Sequence, residues 1–167
     1  MKMIVHDLSQ QDFAAWGAAE DQDVLVISDN GTIRKCTGCF GCWTKTPGRC
    51  VIKDDYQHMG ELLARSDELI IITQCVYGSY SPFVLNVLNR SISYMLPYFV
   101  KKNGETHHRE RYPHTFAFTV HFYGDDVTES EKETARALVA ANSVNLNSTG
   151  NRVYFHHNPQ AVKEAMI

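Results

Sequence analysis

The chain has 167 residues, 44% of them hydrophobic, which is enough to bury the core of one domain. Its 16 lysines and arginines against 19 aspartates and glutamates give a net charge of −3, and this argues against a general nucleic-acid binder, which needs a basic surface. No apolar run approaches the roughly 18 residues that span a bilayer, and the N-terminus lacks the apolar core of a signal peptide. We therefore expect a single cytoplasmic domain over residues 1–167 that contacts neither nucleic acid nor membrane.

The first half of the chain alternates between strand and helix patterns. Lys2–His6 is apolar and predicts a strand, and Ser9 followed by Asp12 is typical of the start of a helix of about three turns. Asp23–Ser28 predicts a second strand, and a loop rich in cysteine and glycine occupies residues 34–53. Four apolar side chains after this loop share one helical face: Tyr56, Met59, Leu62 and Leu63.

A central strand and a helix come next. Glu68–Thr73 is apolar without alternation, which is typical of a parallel strand covered on both faces. Ser81 and Pro82 predict the start of a helix whose 3.6-residue period continues to Met95. Residues 97–114 show no clear element, and a loop of this length usually marks function or an interface.

The last third of the chain predicts two more strands. Thr115–Tyr123 alternates as a strand, and Thr128 with Glu131 forms a capping box that opens the next helix. Arg152–His156 has the pattern of an edge strand, and the tail from Pro159 predicts a short helix. This order of strands and helices predicts an α/β three-layer sandwich on a five-stranded parallel sheet, whose ligands bind beyond the carboxyl ends of the strands.

Five cysteines in a reducing compartment indicate metal, cluster or redox chemistry rather than a disulfide framework. Four of them are separated by only two, two and seven residues: Cys36, Cys39, Cys42 and Cys50. Four thiolates on one glycine-rich loop can surround one iron–sulfur cluster or one zinc ion. The alternative is that small buried cysteines pack a turn, with Trp43 as a hydrophobic plug.

The loop Gln74–Tyr80 leaves the carboxyl end of the most apolar strand. Its glycine allows the backbone to approach a planar ligand, and Tyr77 and Tyr80 can stack on a ring or donate hydroxyl hydrogen bonds. The alternative is a helix-capping loop whose tyrosines cover the edge of the sheet.

Together the first strand, the motif from Cys36 to Cys50 and the turn from Tyr77 to Pro82 resemble the flavodoxin-like NAD(P)H-dependent flavin reductases. The branch that contains the iron–sulfur flavoproteins is the most similar, and the resemblance covers roughly residues 1–157. It implies a sheet of strand order 2-1-3-4-5, noncovalently bound FMN, NAD(P)H as co-substrate, and a homodimer or tetramer.

The resemblance also implies which residues form the site. Residues matching the loop against the flavin ring are Gln74, Cys75, Val76, Tyr77, Gly78, Ser79 and Tyr80. Tyr123 and Gly124 match the second ring-side loop, Ser9 lies at the phosphate end, and the four clustered cysteines match the cluster ligands. We expect Gly78→Val to abolish flavin binding and spare the fold, because the new side chain would fill the crevice.

The loop between the first strand and the first helix departs from the family pattern. Residues 6–12 contain no glycine, arginine, lysine or threonine. Ser9 and the amides of the helix start can donate to a phosphate, whereas Asp7 and Asp12 would place negative charge beside it. The sequence therefore leaves open both an FMN-binding protein and a flavin-free relative.

The leading hypothesis is an FMN-dependent NAD(P)H oxidoreductase that passes electrons to a small acceptor such as a quinone or a free flavin. One alternative is an iron–sulfur electron carrier that uses the four clustered cysteines, and another is a flavin-free thiol redox or binding module. No catalytic acid is assigned.

A group of mostly aromatic residues at the end of the Ser81 helix predicts self-association: Tyr94, Leu96, Tyr98 and Phe99.

Overall fold

The structure is a computed structural model that describes residues 1–14, 16 and 23–166. Its strands are β1 (Lys2–His6), β2 (Val24–Ser28), β3 (Glu68–Gln74), β4 (Met95–Lys102), β5 (Glu105–Glu110), β6 (Ala117–Tyr123) and β7 (Asn151–His156). Its α-helices are α1 (Gln10–Ala14), α2 (Gly41–Thr44), α3 (Met59–Leu63), α4 (Pro82–Arg90), α5 (Glu129–Asn145) and α6 (Pro159–Met166). None of these described helices is long and apolar enough to cross a membrane.

Five parallel strands form the main sheet in the order β2-β1-β3-β6-β7. Counted within this sheet alone, the order along the chain is 2-1-3-4-5, so the predicted topology is confirmed. Met3 of β1 pairs with Leu25 of β2 on one side and with Leu69 of β3 on the other. The carboxyl ends of β1, β3 and β6 therefore meet at one edge of the sheet.

Apolar side chains cover both faces of this sheet and produce the predicted three layers. On one face, Val5 and Ile71 pack with residues of α3, α4 and α5. On the other face, Ile4 and Ile72 pack with Phe13 of α1 and with residues of α6. Each fully buried aliphatic side chain of this kind contributes about 1.5–3 kcal/mol to folding, which is why β3, buried on both faces, is the centre of the sheet.

Two predicted helix starts are confirmed. The Thr128 side chain accepts a hydrogen bond from the Glu131 amide while the Glu131 side chain accepts one from the Thr128 amide. Ser81 accepts a hydrogen bond from the Val84 amide, and Pro82 occupies the first helical turn. The described part of the first helix ends at Ala14, and the rest of the predicted three turns lies outside the described residues.

The prediction that residues 97–114 contain no element is wrong. β4 and β5 form an antiparallel hairpin there, with Asn103 and Gly104 at its tip, both at positive φ (53° and 85°). An Asn-Gly pair is a strong hairpin signal because both residues tolerate this backbone region, so the signal was present in the sequence. The hairpin was missed because all six residues of β5 are polar, so that this strand lacks hydrophobic alternation.

The helix predicted to run from Pro82 to Met95 also ends earlier. α4 stops at Arg90, a 3-10 helix spans Ser91–Tyr94, and Met95 already begins β4. Tyr94 is consequently buried, whereas Tyr98 and Phe99 are 65% and 69% exposed on the hairpin. The aromatic surface behind the predicted self-association thus belongs to β4 rather than to a helix, and the association itself stays a prediction.

Candidate functional site

A carboxylate joins the ends of the three central strands. Asp7, the residue after β1, accepts hydrogen bonds from the Thr73 hydroxyl (2.7 Å) and the Gln74 amide (3.0 Å) at the end of β3. Its other oxygen accepts one from the Tyr123 hydroxyl at the end of β6 (2.8 Å). Asp7 therefore holds β1, β3 and β6 together at the edge where a doubly wound sheet opens its ligand crevice.

The hydrogen-bond partners of Asp7 have fixed directions. The Ser81 amide donates to the buried Thr73 hydroxyl oxygen (3.0 Å), so the Thr73 proton is left to point at Asp7. Burial, and then the negative charge of Asp7, raise the pKa of Tyr123, which keeps that hydroxyl protonated as a donor. The sequence assigned Asp7 only an unfavourable charge and missed this structural role.

The expected phosphate donor, Ser9, is already engaged. The Asp12 amide donates to the Ser9 hydroxyl oxygen (3.1 Å), and the Ser9 hydroxyl donates to the Asp12 carboxylate (2.6 Å). This is an internal cap of the short helix α1. The cap therefore uses the Ser9 hydroxyl and a first-turn amide, the groups that were expected to donate to a phosphate.

The loop after β3 ends in a tight turn. Val76 and Ser79 exchange backbone hydrogen bonds of 2.9 Å in both directions, with Tyr77 and Gly78 between them at positive φ (52° and 75°). The Tyr77 side chain is 88% exposed, which leaves an aromatic face free for a planar ligand. The Cys75 amide donates to the Tyr123 carbonyl (2.8 Å), so the two ring-side loops of the sequence prediction lie together.

The remaining predicted ring-side residues are less available. Tyr80 is buried, stacks on Phe122 and accepts a hydrogen bond from Asn142 (3.0 Å), and burial raises its pKa to about 12. Its side chain therefore belongs to the core rather than to the edge. Gly124 donates its amide to the His156 carbonyl (3.0 Å), which ties the second loop to β7.

Gly78 faces a helix rather than the crevice. A Cβ atom at this position would lie 2.8 Å from the backbone oxygen of Glu131 and 2.8 Å from Cβ of Thr134, both in α5. The positive φ adds strain for any side chain. The expectation that Gly78→Val spares the fold is therefore wrong, and Tyr77 is the better position for a test.

The four clustered cysteines line one cavity of about 50 Å³, together with the Arg90 side chain. Cys42 is buried, Cys50 is half-buried, and Cys36 and Cys39 are exposed. Three hydrogen bonds connect this loop to the rest of the protein. The Cys36 amide donates to the Asn86 side chain (3.1 Å), and the Cys50 amide donates to the Gln57 carbonyl (2.9 Å). The Trp43 indole donates to the Met95 carbonyl (2.9 Å).

The electrostatic environments of these thiols differ. Hydrogen bonds from the Gly41 amide and then from Thr37 lower the pKa of the exposed Cys39, which favours its thiolate. Burial raises the pKa of Cys42, and the three neighbouring thiols add to the effect. Over residues 1–14, 16 and 23–166, no three Cys, His, Asp or Glu side chains converge in an arrangement that would hold a single metal ion.

A buried ion pair that the sequence did not reveal supports this loop. Arg90 donates to both carboxylate oxygens of Asp54 (2.7 and 2.8 Å) and to the carbonyls of Arg34 (2.8 Å) and Ile52 (3.3 Å). The Arg90 hydrogen bond is the main cause that lowers the pKa of Asp54. Arg90 thus joins α4 to the segments on both sides of the cysteine loop.

No protein-family model and no curated protein sequence matches the chain. Among solved structures it is similar to general stress protein 14 of Treponema denticola in complex with FMN (TM-score 0.55, 13% identity, 98% of this chain and 90% of that chain). It is also similar to an FMN-dependent NADH-azoreductase of Bacillus anthracis in complex with FMN (0.54, 8%, 98% and 92%). A third such structure is the Trp repressor binding protein of Bacillus subtilis (0.53, 14%, 99% and 94%). The chain therefore has a flavodoxin-like fold, which it shares with these three solved structures.

Proposed function

We propose that this protein is a flavin-dependent oxidoreductase that passes electrons from NAD(P)H to a small acceptor such as a quinone or a free flavin. Two of its structural relatives bind FMN, which makes a flavin the expected cofactor class. The observation that carries the proposal is the exposed Tyr77 at a rigid turn directly after β3. In flavodoxin-like sheets, FMN binds at the switch point between β1 and β3, which is where this turn lies.

The two ends of the site fit FMN to different degrees. At the ring end, Tyr77 offers a free face for stacking, and it lies in a turn closed by two backbone hydrogen bonds between Val76 and Ser79. At the phosphate end, Ser9 is engaged with Asp12 and the Asp7 carboxylate occupies the strand ends, so the residues do not fit a dianion. A bound flavin would supply the hydride and electron transfer, while this chain binds and orients the ring.

Tyr77→Ala is expected to weaken flavin binding about tenfold, because it removes the exposed aromatic face and little else. Titration of the protein into oxidised flavin, followed by quenching of flavin fluorescence, measures this change. Tyr98→Ala is the matched control, since Tyr98 is also an exposed tyrosine but lies on the β4–β5 hairpin. Equal affinities for the wild type and the Tyr77 variant would contradict the proposed ring position.

A second candidate function is electron transfer through an iron–sulfur cluster. Its support is that four thiols line one cavity, so that one loop offers four sulfur ligands. If a cluster binds, Cys36, Cys39, Cys42 and Cys50 would hold it, and the cluster would supply single-electron transfer. If no cluster binds to these thiols, the alternative is that the protein acts as a thiol redox or binding module.

Elemental analysis of anaerobically purified protein tests this second candidate. If a cluster binds, the wild type contains iron and acid-labile sulfide, and Cys42→Ser loses most of both, because it removes the most buried thiol of the cavity. Cys75→Ser is the control, since Cys75 lies outside that cavity and should leave the iron content unchanged. Wild-type protein without iron would reject the cluster, and zinc in its place would identify the other metal predicted for these thiols.

A further inference from the structure

We propose that Asp7 sets the ligand specificity of the flavin site, so that the site takes a flavin whose ribityl tail ends in a neutral hydroxyl and rejects the phosphate monoester of FMN. This inference rests on the proposed function and names the class of flavin that the site accepts. Riboflavin is the simplest member of that class and FMN is the phosphorylated counterpart against which it is compared.

The position of Asp7 is the first step. Asp7 follows β1 directly, and its carboxylate contacts the ends of β3 and β6 through Thr73, Gln74 and Tyr123. It therefore lies at the β1/β3 switch point, where the phosphate-bearing tail of a flavin would enter from the β1–α1 loop. Three hydrogen bonds from two strands hold the carboxylate there, so a ligand cannot displace it without breaking all three.

The charge around this point is the second step. A phosphate monoester carries a charge of roughly −1.5 to −2 at neutral pH. The loop from residue 6 to residue 12 contributes two carboxylates, Asp7 and Asp12, and no lysine or arginine. Its one histidine, His6, is buried, and burial lowers its pKa to about 4, so it adds no positive charge at neutral pH. Like charges at this separation repel, and the repulsion grows where water is excluded.

Two backbone amides near this point are also occupied. The Asp12 amide donates to Ser9, and the Gln74 amide donates to Asp7. A dianion placed here would have to compete with two fixed side-chain oxygens for these amides. The arrangement thus removes the attraction for a phosphate as well as adding repulsion.

A hydroxyl tail meets a more favourable partner. An ionised carboxylate has about four lone-pair sites, and Asp7 uses three of them on Thr73, Gln74 and Tyr123. The remaining site can accept a hydrogen bond from a ribityl hydroxyl, and such a bond to a charged acceptor is stronger than one between neutral groups. Asp7 therefore discriminates by attraction for one tail and repulsion of the other.

Binding of riboflavin and FMN to the apoprotein, measured by calorimetry at low ionic strength and about pH 7.5, tests the inference. For the wild type we expect riboflavin to bind about tenfold tighter than FMN or better. Asp7→Asn should tighten FMN binding by about tenfold and leave riboflavin binding equal or weaker, because the amide keeps most of the hydrogen bonds but not the charge. Glu105→Gln is the matched control, an exposed carboxylate on the β4–β5 hairpin whose loss should change neither affinity.

A second variant keeps the Asp7 network intact. Gln10→Lys places a cation in the exposed first turn of α1 and should improve FMN binding relative to riboflavin even if Asp7→Asn folds poorly. Equal wild-type affinities for the two flavins, or FMN affinities unchanged in both variants, would overturn the inference and leave the proposed function standing. Failure of the wild type and both variants to bind either flavin would overturn the proposed function together with the inference.

Discussion

Asp54→Ala is expected to lower the free energy of unfolding by about 3–5 kcal/mol, because it leaves a buried guanidinium without its counter-ion. The Arg90 side chain is 0% exposed and that of Asp54 is 5% exposed, so water cannot replace the lost carboxylate. Asp54 also accepts hydrogen bonds from the amides of Arg34 and Tyr56, which lose their acceptor in the variant. A long-range ion pair of this kind fixes three segments around the cysteine loop.

Urea unfolding followed by circular dichroism measures the effect. Asp55→Ala is the matched control, because Asp55 neighbours the pair but is exposed and accepts its hydrogen bonds from exposed groups of Asn30 and Thr32. That variant is expected to lose less than about 1 kcal/mol. A loss of similar size in the two variants would show that the Arg90–Asp54 pair adds nothing beyond an ordinary surface contact.

The fold was readable from the sequence where hydrophobic periodicity and local caps determine structure. β1 begins and ends at the predicted residues, and the capping box at Thr128 and Glu131 is present, because both depend on neighbouring residues alone. β5 was missed because its strand character comes from pairing with β4 and from the Asn103–Gly104 turn rather than from apolar alternation. Periodicity carries no information about a polar strand in a two-stranded hairpin.

The sequence predicted which strand ends lie together but not the side-chain contacts between them. The carboxyl ends of parallel strands meet at one edge of a sheet, and this correctly placed the loop after β3 next to Tyr123. The role of Asp7 could not be predicted, because its partners Thr73 and Tyr123 are 66 and 116 residues away and the contact depends on the register of three strands. Separation in sequence also hid the pairing of Arg90 with Asp54, which are 36 residues apart.

Mild acid is expected to destabilise the protein through two buried histidines. Burial is the main cause that lowers the pKa of His6 and of His121 to about 4, and Asp7 opposes the shift at His6 while His156 adds to it at His121. The ordinary histidine pKa is about 6.5, so the unfolded chain takes up protons below that pH and the folded chain does not until about pH 4. The free energy of unfolding is therefore highest above about pH 6.5. It falls as the pH decreases from about 6.5 to 4, by up to about 3 kcal/mol for His6.

His6→Leu separates this effect from the acid response of the remaining groups. Neither ring nitrogen of His6 has a hydrogen-bond partner among the described residues, and the ring stacks on Phe13 at 4.0 Å. Leucine removes two unsatisfied polar atoms from an apolar layer, so we expect a gain of about 1–3 kcal/mol at neutral pH and a larger gain at pH 5. Urea unfolding at pH 7.5, 6 and 5 measures both, with His157→Leu as the exposed control whose pH profile should follow the wild type. A His6→Leu profile parallel to that of the wild type would mean that His6 is not the group that takes up the proton on unfolding.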